Sequence, residues 1–515
     1  MNPFLQRLAD VSAERLRSVR RGIEKESLRV RSDGTLALTP HPAELGSALT
    51  HAHITTDFSE SQLELITGVH AGIDACLEEL GEIHQVVYRA LGDEEVLWAC
   101  SMPCNLPADA EIPLGRYGTS NVGRMKTIYR NGLSYRYGRR MQTISGIHYN
   151  FSLPGVSTAE YFALIRNFRR HCWLPLYLFG ASPAVCSSFV EGRQHELQQL
   201  RAGTHYLPHA TSLRMGRLGY QSDAQAELCV SYNNLDSYAA SLDHALTKPY
   251  AQYERIGVQG PDGEYRQLST TLLQIENEFY GTIRPKRPIR PGERPLHALR
   301  ERGVEYVEVR LMDLDPFDAL GIAAPTMRFL DVFLLHCLLA DSPPDDAAEI
   351  RAIGRNQHKV AARGREPGLL LDRGAAQVPL VQWADEILAA CDPVAAALDA
   401  AHGGAAYRDA VAQAQAVLKD PDLSPSARVL HAMARNHDNA FLRFGLVQSL
   451  LHAGQVRGMR LEPDVQGRFE ALARRSIEAQ RKIEATDKLD FETYRTKYLA
   501  HDTLIIGEPR FREDR

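Results

Sequence analysis

Acidic side chains occupy every second position in several short, otherwise apolar segments of this 515-residue chain. Glu24 and Glu26 are separated by one residue, Glu64 stands between two leucines, and Glu308 and Arg310 are again two positions apart. Successive side chains of a β-strand point to opposite faces, so this spacing places each set on one face of a sheet. The sequence therefore predicts strands that present carboxylates on a common surface.

Two further segments show the same alternation. In residues 147–153 the alternate polar positions are His148, Asn150 and Ser152. In residues 271–283, which also have a strand-like pattern, they are Gln274, Glu276, Glu278 and Tyr280. A solvated face is the ordinary reason for such alternation. Because these faces carry carboxylates, an imidazole and carboxamides rather than a mixture with Lys and Thr, the sequence favours a shared functional surface.

Carboxylates that converge on one surface repel one another unless cations lie between them. Oxygen donors with a single imidazole suit Mg²⁺ or Mn²⁺ better than a metal that prefers thiolates. Arg310, two residues from Glu308, adds a planar group that can grip a phosphoryl oxygen. Divalent cations and an arginine are the groups that phosphoryl transfer from ATP to a carboxylate requires, because its barrier falls mainly through charge neutralisation and alignment.

These residues must be positioned by strands and helices. The order of strand-like and helix-like segments along the sequence predicts an α+β fold with an antiparallel or mixed sheet and inserted helices. The predicted strands are residues 22–30, 62–67, 146–153, 271–283 and 304–314. The predicted helices are residues 1–20, 72–91, 159–177, 384–401, 407–418, 424–436 and 463–485. We therefore expect a catalytic core in residues 1–340 and a mainly helical part in residues 341–515 that packs on it.

Composition limits the class of protein. The formal net charge of -5 gives no general basic field, so we expect neither a nucleic-acid nor a membrane partner. Residues 1–21 contain no apolar signal-peptide core, and the eight cysteines form no C-x-x-C pair. We interpret the cysteines as reduced thiols, most of them in the core, of a cytoplasmic protein. The sequence leaves the oligomeric state open, and we expect a monomer.

Five longer segments resemble glutamate–cysteine ligases of the proteobacterial type. They are residues 22–30 (GIEKESLRV), 54–58 (ITTDF), 117–121 (YGTSN), 141–151 (MQTISGIHYNF) and 275–280 (IENEFY). The resemblance runs from about residue 20 to 320, whereas the C-terminal part agrees only in length and helical character. It implies a glutamine-synthetase-like catalytic fold that joins the γ-carboxylate of L-glutamate to the amine of L-cysteine through γ-glutamyl phosphate, the first step of glutathione biosynthesis.

The resemblance also implies roles for individual residues. The metal ligands would be Glu24, Glu26, Asp57, Glu64, His148 and Glu308. Glu308 and Arg310 would act in catalysis, with Arg310 contacting phosphate. The substrate-binding residues would be Phe58, Tyr129, Arg130, Leu133, Asn150, Arg214, Tyr220 and Tyr280. The expected cofactor is Mg²⁺, with Mn²⁺ as an alternative, ATP is a co-substrate, and the partners are small molecules.

Three other functions stay open at this stage. The first is a γ-glutamyl ligase of the same superfamily with another small amine acceptor, because an apolar pocket separates similar side chains only modestly. The second is a protein that binds ATP and metal without turnover. The third is a nucleic-acid binder that uses the basic residues 284–288 (RPKRP), which the acidic overall charge disfavours.

Overall fold

The computed structural model describes residues 3–219, 223–226 and 228–504. The strands are β1 (Arg20–Arg31), β2 (Ile54–Thr56), β3 (Gln62–Ile66), β4 (Glu95–Leu97), β5 (Ile147–Ser152), β6 (Ala184–Cys186), β7 (Gln198–Arg201), β8 (Thr204–Tyr206), β9 (Ile283–Lys286), β10 (Tyr306–Met312), β11 (Leu370–Arg373) and β12 (Ala376–Pro379). The helices are α1 (Pro3–Ala9), α2 (Ala13–Arg17), α3 (Ile73–Leu91), α4 (Asn121–Tyr137), α5 (Arg139–Gln142), α6 (Thr158–His171), α7 (Trp173–Phe179), α8 (Ser187–Val190), α9 (Asp223–Ala226), α10 (Leu235–Thr247), α11 (Ala251–Ile256), α12 (Pro295–Arg302), α13 (Ala324–Leu339), α14 (Ala347–Arg363), α15 (Leu380–His402), α16 (Ala406–Lys419), α17 (Pro425–Asn436), α18 (Phe441–Gly458), α19 (Pro463–Thr486) and α20 (Phe491–Leu499).

The main sheet has the strand order β2-β3-β1-β5-β10-β9, and β4 also pairs with β1. Each of these pairings is antiparallel. One face is apolar and buried, because Ile23, Leu65, Tyr149 and Val309 alternate with the polar residues and are at most 1% exposed. Helices α3, α6 and α7 contact the sheet. The structure thus confirms the α+β class, with one covered face and one face left for polar side chains.

The C-terminal helices share the core of the sheet. Buried apolar residues of α13, α15, α16 and α18 belong to the same cluster as those of the central strands. Four predicted helices in this region are confirmed with ends shifted by a few residues, whereas α14, α18, α20 and the β11–β12 hairpin were not predicted. The boundary at residue 340 stays a prediction.

The strand predicted at residues 271–283 is wrong. The backbone there forms a short 3-10 turn at Glu276–Glu278, and β9 begins only at Ile283. Glu276 binds Arg294 at 2.7 Å and Glu278 binds Arg136 at 2.8 Å, with all four side chains buried. The alternating acids of this segment therefore satisfy two separate buried ion pairs rather than line a sheet.

Two predicted helices are each divided in two. Pro175 lacks the N–H group that would bond to the carbonyl of residue 171, so α6 ends at His171 and α7 begins at Trp173. Near the N-terminus, the Ser12 side chain accepts a hydrogen bond from the Arg15 backbone N–H at 3.2 Å and starts α2 as a separate helix.

The expectation that all cysteines are reduced is also wrong. Cys104 and Cys186 form a disulfide, with Cα atoms 5.1 Å apart. They are separated by 82 positions in the chain, so sequence spacing gave no sign of the pairing. The other cysteines are free thiols, and all of them except Cys229 are buried. Of the helices in the described ranges, none is long and apolar enough to cross a membrane.

A buried ion pair joins the apolar face of the sheet to α13. Arg21 Nη2 lies 2.8 Å from Asp331 Oδ2, and both side chains are at most 1% exposed. The Tyr149 hydroxyl donates to Asp331 Oδ1 at 2.7 Å. One carboxylate therefore binds β1 and β5 at once, and these two strands carry the acidic residues of the opposite face.

Replacing Asp331 with alanine leaves the Arg21 charge buried without its partner, so we expect the free energy of unfolding to fall by about 3–5 kcal/mol. Urea denaturation measures this change. Asp341→Ala is the matched control, because Asp341 binds Arg7 at 2.9 Å but is 80% exposed, and its loss should cost less than about 1 kcal/mol. Equal losses in the two variants would contradict the proposed importance of the buried pair.

Candidate active site

Three strands bring three of the predicted metal ligands together on the polar face. Glu24 of β1 lies opposite His148 of β5, and Glu308 of β10 lies opposite Asn150, the next residue of β5 on that face. His148 Nδ1 is 3.1 Å from Glu24 Oε2 and 3.8 Å from Glu308 Oε1. One ligand atom from each of Glu24, His148 and Glu308 lies within 4.8 Å of the others.

The donor set fits a hard divalent cation. It offers two carboxylates and one imidazole, a combination that suits Mg²⁺ or Mn²⁺. Asn150 Nδ2 donates to Glu24 Oε1 at 2.9 Å. Asn150 Oδ1 is buried and has no hydrogen-bond partner among the described residues. A buried oxygen without a donor is uncommon in folded proteins, and a bound cation or its water would supply the missing partner.

Positive side chains hold this first group of carboxylates ionised. Lys286 Nζ and Arg310 Nη1 each lie 3.1 Å from a different oxygen of Glu308. Burial raises the pKa of Glu308, but Lys286, Arg310 and His148 outweigh it and keep the pKa well below its usual range. Burial and Glu308 likewise raise the pKa of Glu24, and the His148 hydrogen bond and Lys286 reverse the shift.

A second group of carboxylates lies beside the first. Glu26 lies opposite Glu64 across the β1–β3 pairing, and Asp57 follows the end of β2. Burial and the Asp57 charge raise the pKa of Glu26 to about 8, although Arg214 and Arg310 oppose the shift. Burial and the charges of Glu24, Asp57 and Glu26 raise the pKa of Glu64 well above its usual range. Binding a divalent cation to this group would replace protons and relieve the repulsion.

Arg214 lies at the edge of this face in a short buried turn, Leu213–Met215. Its Nη2 donates to the Arg310 carbonyl at 2.9 Å, and its Nη1 is 3.8 Å from Asp313 Oδ1. Gly146 directly precedes β5, and a Cβ atom there would collide with the Arg214 guanidinium. The close approach of Arg214 therefore requires glycine at this position. These contacts fix the Arg214 charge beside Glu26, and its role in substrate binding stays a prediction.

Helix α4 brings three predicted substrate residues to the site. Tyr129 and Leu133 are one turn apart and so lie on the same side of the helix. Arg130 donates through Nε to the Asp57 carbonyl, and its guanidinium lies 4.5 Å from the centroid of the Tyr117 ring. The helix thus faces the second carboxylate group from across the sheet edge.

The remaining predicted substrate residues differ in their placement. The Tyr280 hydroxyl accepts a hydrogen bond from Gln142 Nε2 at 2.8 Å, and its ring meets that of Tyr137 edge-on. Phe58 is buried, with 1% of its surface exposed. Tyr220 lies outside the described residues.

Three residues of the site were not predicted. Gln142 fixes Tyr280, and Arg284 and Lys286 of β9 lie beside β10, where Arg284 is opposite Glu308. Arg284 and Lys286 are two positions apart, a spacing that could have predicted a strand with both side chains on one face. The basic residues 284–288 instead suggested a possible nucleic-acid contact. For Gln142 the sequence contained no signal, since its partner is 138 positions away.

Residues 487–491, which lead into α20, contact the N-terminal half of α4. The Asp487 carboxylate accepts a hydrogen bond from the Asn121 backbone N–H in the first turn of α4, and the Leu489 carbonyl accepts one from Asn121 Nδ2 at 2.9 Å. Phe491, the first residue of α20, lies 4.3 Å from the Arg124 guanidinium.

A second apolar cluster fills the space between α4 and α20. Its buried members are Met125, Leu268 and Phe491, and partly buried residues that pack against them include Tyr129 and Tyr498. A predicted substrate residue therefore rests directly on the C-terminal segment of the chain.

The sheet and its polar face define a site for divalent cations beside a helix that offers aromatic and cationic side chains. Comparison with known proteins identifies the family. The glutamate–cysteine ligase profile matches residues 5–360. A glutamate–cysteine ligase from Alcanivorax borkumensis is 47% identical over 96% of this chain and 98% of its own length. One from Azotobacter vinelandii is 50% identical over 94% of this chain and 95% of its own.

Solved structures agree with the sequence comparison. The glutamate–cysteine ligase of Francisella tularensis in complex with AMP has a TM-score of 0.89 and 37% identity, covering 94% of this chain and 97% of its own. A bifunctional glutathione synthetase from Pasteurella multocida has a TM-score of 0.70 and 26% identity, covering 90% of this chain and 57% of its own. The chain belongs to the glutamate–cysteine ligase family.

Replacing Phe491 with alanine should loosen α4 without unfolding the sheet, because Phe491 is buried in the cluster that joins α4 to α20. We expect amide hydrogen exchange in residues 121–137 to accelerate by about 10-fold or more, with exchange in β1 and β5 unchanged. Hydrogen-exchange mass spectrometry measures both. Val381→Ala, at an exposed position of α15, is the control, and unchanged protection of α4 in the Phe491 variant would refute the supporting role.

Proposed function

We propose that this protein uses ATP to join the γ-carboxylate of L-glutamate to the amine of L-cysteine, the first step of glutathione biosynthesis. The observation that carries the proposal is the group of carboxylates with one imidazole and one arginine on the polar face of the sheet. Family membership supports it, as do the names of the relatives and the AMP bound by the Francisella tularensis enzyme. The resulting enzyme is an ATP-dependent carboxylate–amine ligase.

Mg²⁺, or Mn²⁺ in its place, is the proposed cofactor. The proposed ligands are Glu24, Glu26, Asp57, Glu64, His148 and Glu308. When bound, the cation would neutralise the triphosphate and polarise its terminal phosphorus. The buried Asn150 oxygen without a partner and the raised pKa of Glu26 support this assignment.

Arg310 and Glu308 are the proposed catalytic pair. Glu308 holds the Arg310 guanidinium at 3.1 Å, which aligns its planar fork for the oxygens of the transferred phosphoryl group. The γ-carboxylate of glutamate attacks the γ-phosphorus, and the bond from that phosphorus to the bridging oxygen of ADP breaks. The product, γ-glutamyl phosphate, has phosphate instead of oxide as its leaving group.

The second step forms the peptide-like bond. The neutral amine of cysteine attacks the γ-carbonyl carbon, phosphate leaves, and the nitrogen loses a proton. Phe58, Tyr129, Leu133, Tyr220 and Tyr280 are the proposed walls of the acceptor pocket. Arg130 and Arg214 are proposed contacts for substrate carboxylates, and Asn150 is a proposed polar contact near the cations. Gln142, which holds the Tyr280 hydroxyl, belongs to the same proposal.

The proposal extends to the setting of the enzyme. We place it in the cytoplasm, because most of its cysteines are free thiols. We assign catalysis to residues 1–340 and a supporting role to residues 341–515, and we expect a monomer that binds small molecules.

An assay of ADP formation tests the function directly. With glutamate, ATP and Mg²⁺ present, we expect turnover that depends on cysteine, is abolished by EDTA and is restored by added Mg²⁺. Comparison of cysteine with 2-aminobutyrate and alanine separates the proposed acceptor from another small amine. Absence of cysteine-dependent ADP would overturn the proposal, and a preference for alanine would favour the alternative acceptor.

The Glu308→Gln variant tests the proposed cation site. Removing one negative charge from the ligand set should lower kcat/KM by about 100-fold and raise the Mg²⁺ concentration needed for half-maximal rate. Glu305→Gln is the matched control, because Glu305 lies just before β10 and its side chain is 53% exposed, in an ion pair with Arg287. Activity of Glu308→Gln equal to that of the control would remove Glu308 from the site.

A further inference from the structure

Two cations on one side of α4 have no ion-pair partner in the part of the chain that the structure describes. Lys126 and Arg130 are four residues apart, so they lie in one row along the helix. Among the described residues, no carboxylate oxygen lies within 4.0 Å of Lys126 Nζ or of the Arg130 guanidinium, which donates instead to the backbone carbonyls of Asp57 and Lys126. Both side chains are half-buried. Two neighbouring cations that are partly withdrawn from water and not neutralised form a site for an anion.

The surroundings orient this pair. Lys126 Nζ lies 5.0 Å and the Arg130 guanidinium 4.5 Å from the centroid of the Tyr117 ring, which is 1% exposed. The Tyr117 hydroxyl donates to the Asp57 carbonyl at 2.8 Å. The ring therefore supports both cations and is itself tied to the segment that carries Asp57.

Negative charge lies next to the two cations. Burial and Arg130 lower the pKa of Lys126 to about 8, while Glu64 and Asp57 act in the opposite direction. Arg130 also donates through Nε to the backbone carbonyl of Asp57, so the two cations lie beside the segment that carries this carboxylate. A cationic row beside anionic side chains matches an α-amino acid zwitterion, with its carboxylate on one side and its ammonium group on the other.

We propose that Lys126, together with Arg130, binds the α-carboxylate of the L-glutamate substrate, with the α-ammonium group directed toward the oxygens of Asp57 and Glu64 that do not bind the cation. This assignment rests on the proposed ligase function and adds Lys126 as a residue that selects the carboxylate donor.

The chemistry of the reaction favours glutamate over cysteine at this position. The cysteine amine must be neutral and free to attack the γ-carbonyl carbon, so carboxylates that bind it as an ammonium group would block the reaction. The α-amino group of glutamate takes no part in the reaction, and an ion pair there costs nothing in rate. A site that combines cations and carboxylates therefore suits glutamate, whose α-amino group does not react.

The geometry of α4 places the two substrates side by side. Lys126 and Arg130 form one row of the helix, and Tyr129 and Leu133 form the adjoining row. The first row lies beside Asp57, because Arg130 donates to the Asp57 carbonyl, and the second belongs to the proposed acceptor pocket. A single rigid helix thereby sets the distance between donor and acceptor, which is the main requirement for attack on an acyl phosphate.

Steady-state kinetics of Lys126→Met test this inference. We expect KM for glutamate to rise by about 10- to 100-fold, because one charge-assisted contact is lost. KM for cysteine and kcat should stay within about threefold of wild type. Lys126→Arg should recover most of the glutamate affinity. Lys126→Gln is measured alongside, so that the test does not depend on the folding of one variant.

A glutamate analogue without the α-carboxylate distinguishes binding of that group by Lys126 from a merely structural role of Lys126. The inhibition constant of 4-aminobutyrate against glutamate should be the same, within about threefold, in wild type and Lys126→Met. Lys482→Met, at an exposed position of α19, is the control for loss of a lysine charge.

The outcomes distinguish failure of the proposed function from failure of the Lys126 assignment. Wild-type enzyme without glutamate-dependent ADP formation removes the proposed function and this assignment with it. Active wild type with an unchanged KM for glutamate in the Lys126 variants overturns this assignment alone. A rise in KM for cysteine instead of glutamate, or an equal loss of 4-aminobutyrate binding, also overturns it.

Discussion

Repulsion between carboxylates is the constraint around which the polar face of the sheet is built. Glu24, Glu26 and Glu64 come from adjacent strands, and each is withdrawn from water by the walls of the site. On one side of this face Lys286 and Arg310 bind Glu308 and hold it ionised. On the other side the pKa values of Glu26 and Glu64 rise. The structure thus leaves a deficit of positive charge where the proposed function needs divalent cations and a nucleotide.

The opposite, apolar face of the sheet is buried and holds these carboxylates in place. Every strand that carries a carboxylate also carries apolar residues that are buried on the other side, and Asp331 ties β1 and β5 to α13 from below. An antiparallel sheet fixes the register of these strands, so the separation of acidic groups is set by backbone hydrogen bonds rather than by loops. This explains why a flexible set of long glutamate side chains can form a defined site.

The sequence predicted β1, β3, β5 and β10, four of the seven strands of the main sheet, and most of its polar face, because period-two alternation is a local property of a strand. The same reasoning failed at Glu276 and Glu278, where the alternate acids bind Arg294 and Arg136 instead of lining a strand. Pairing with distant residues also explains what could not be predicted. The Cys104–Cys186 disulfide and the hydrogen bond from Gln142 to Tyr280 depend on contacts across 82 and 138 positions, which no local pattern records.

Helix α4 lies between the polar face of the sheet and the C-terminal segment. Its Lys126 and Arg130 lie over the Tyr117 ring. Elsewhere on the helix Met125 packs against Phe491, and the Asn121 backbone N–H donates to Asp487. An ion-binding row on a mobile helix would lose much of its selectivity, because a displacement of about 1 Å weakens a positioned charge contact severely. Under the proposed assignment of Lys126, the C-terminal segment contributes to substrate recognition without touching substrate. This gives the helical part of the chain, which carries none of the proposed ligands, a physical reason to pack where it does.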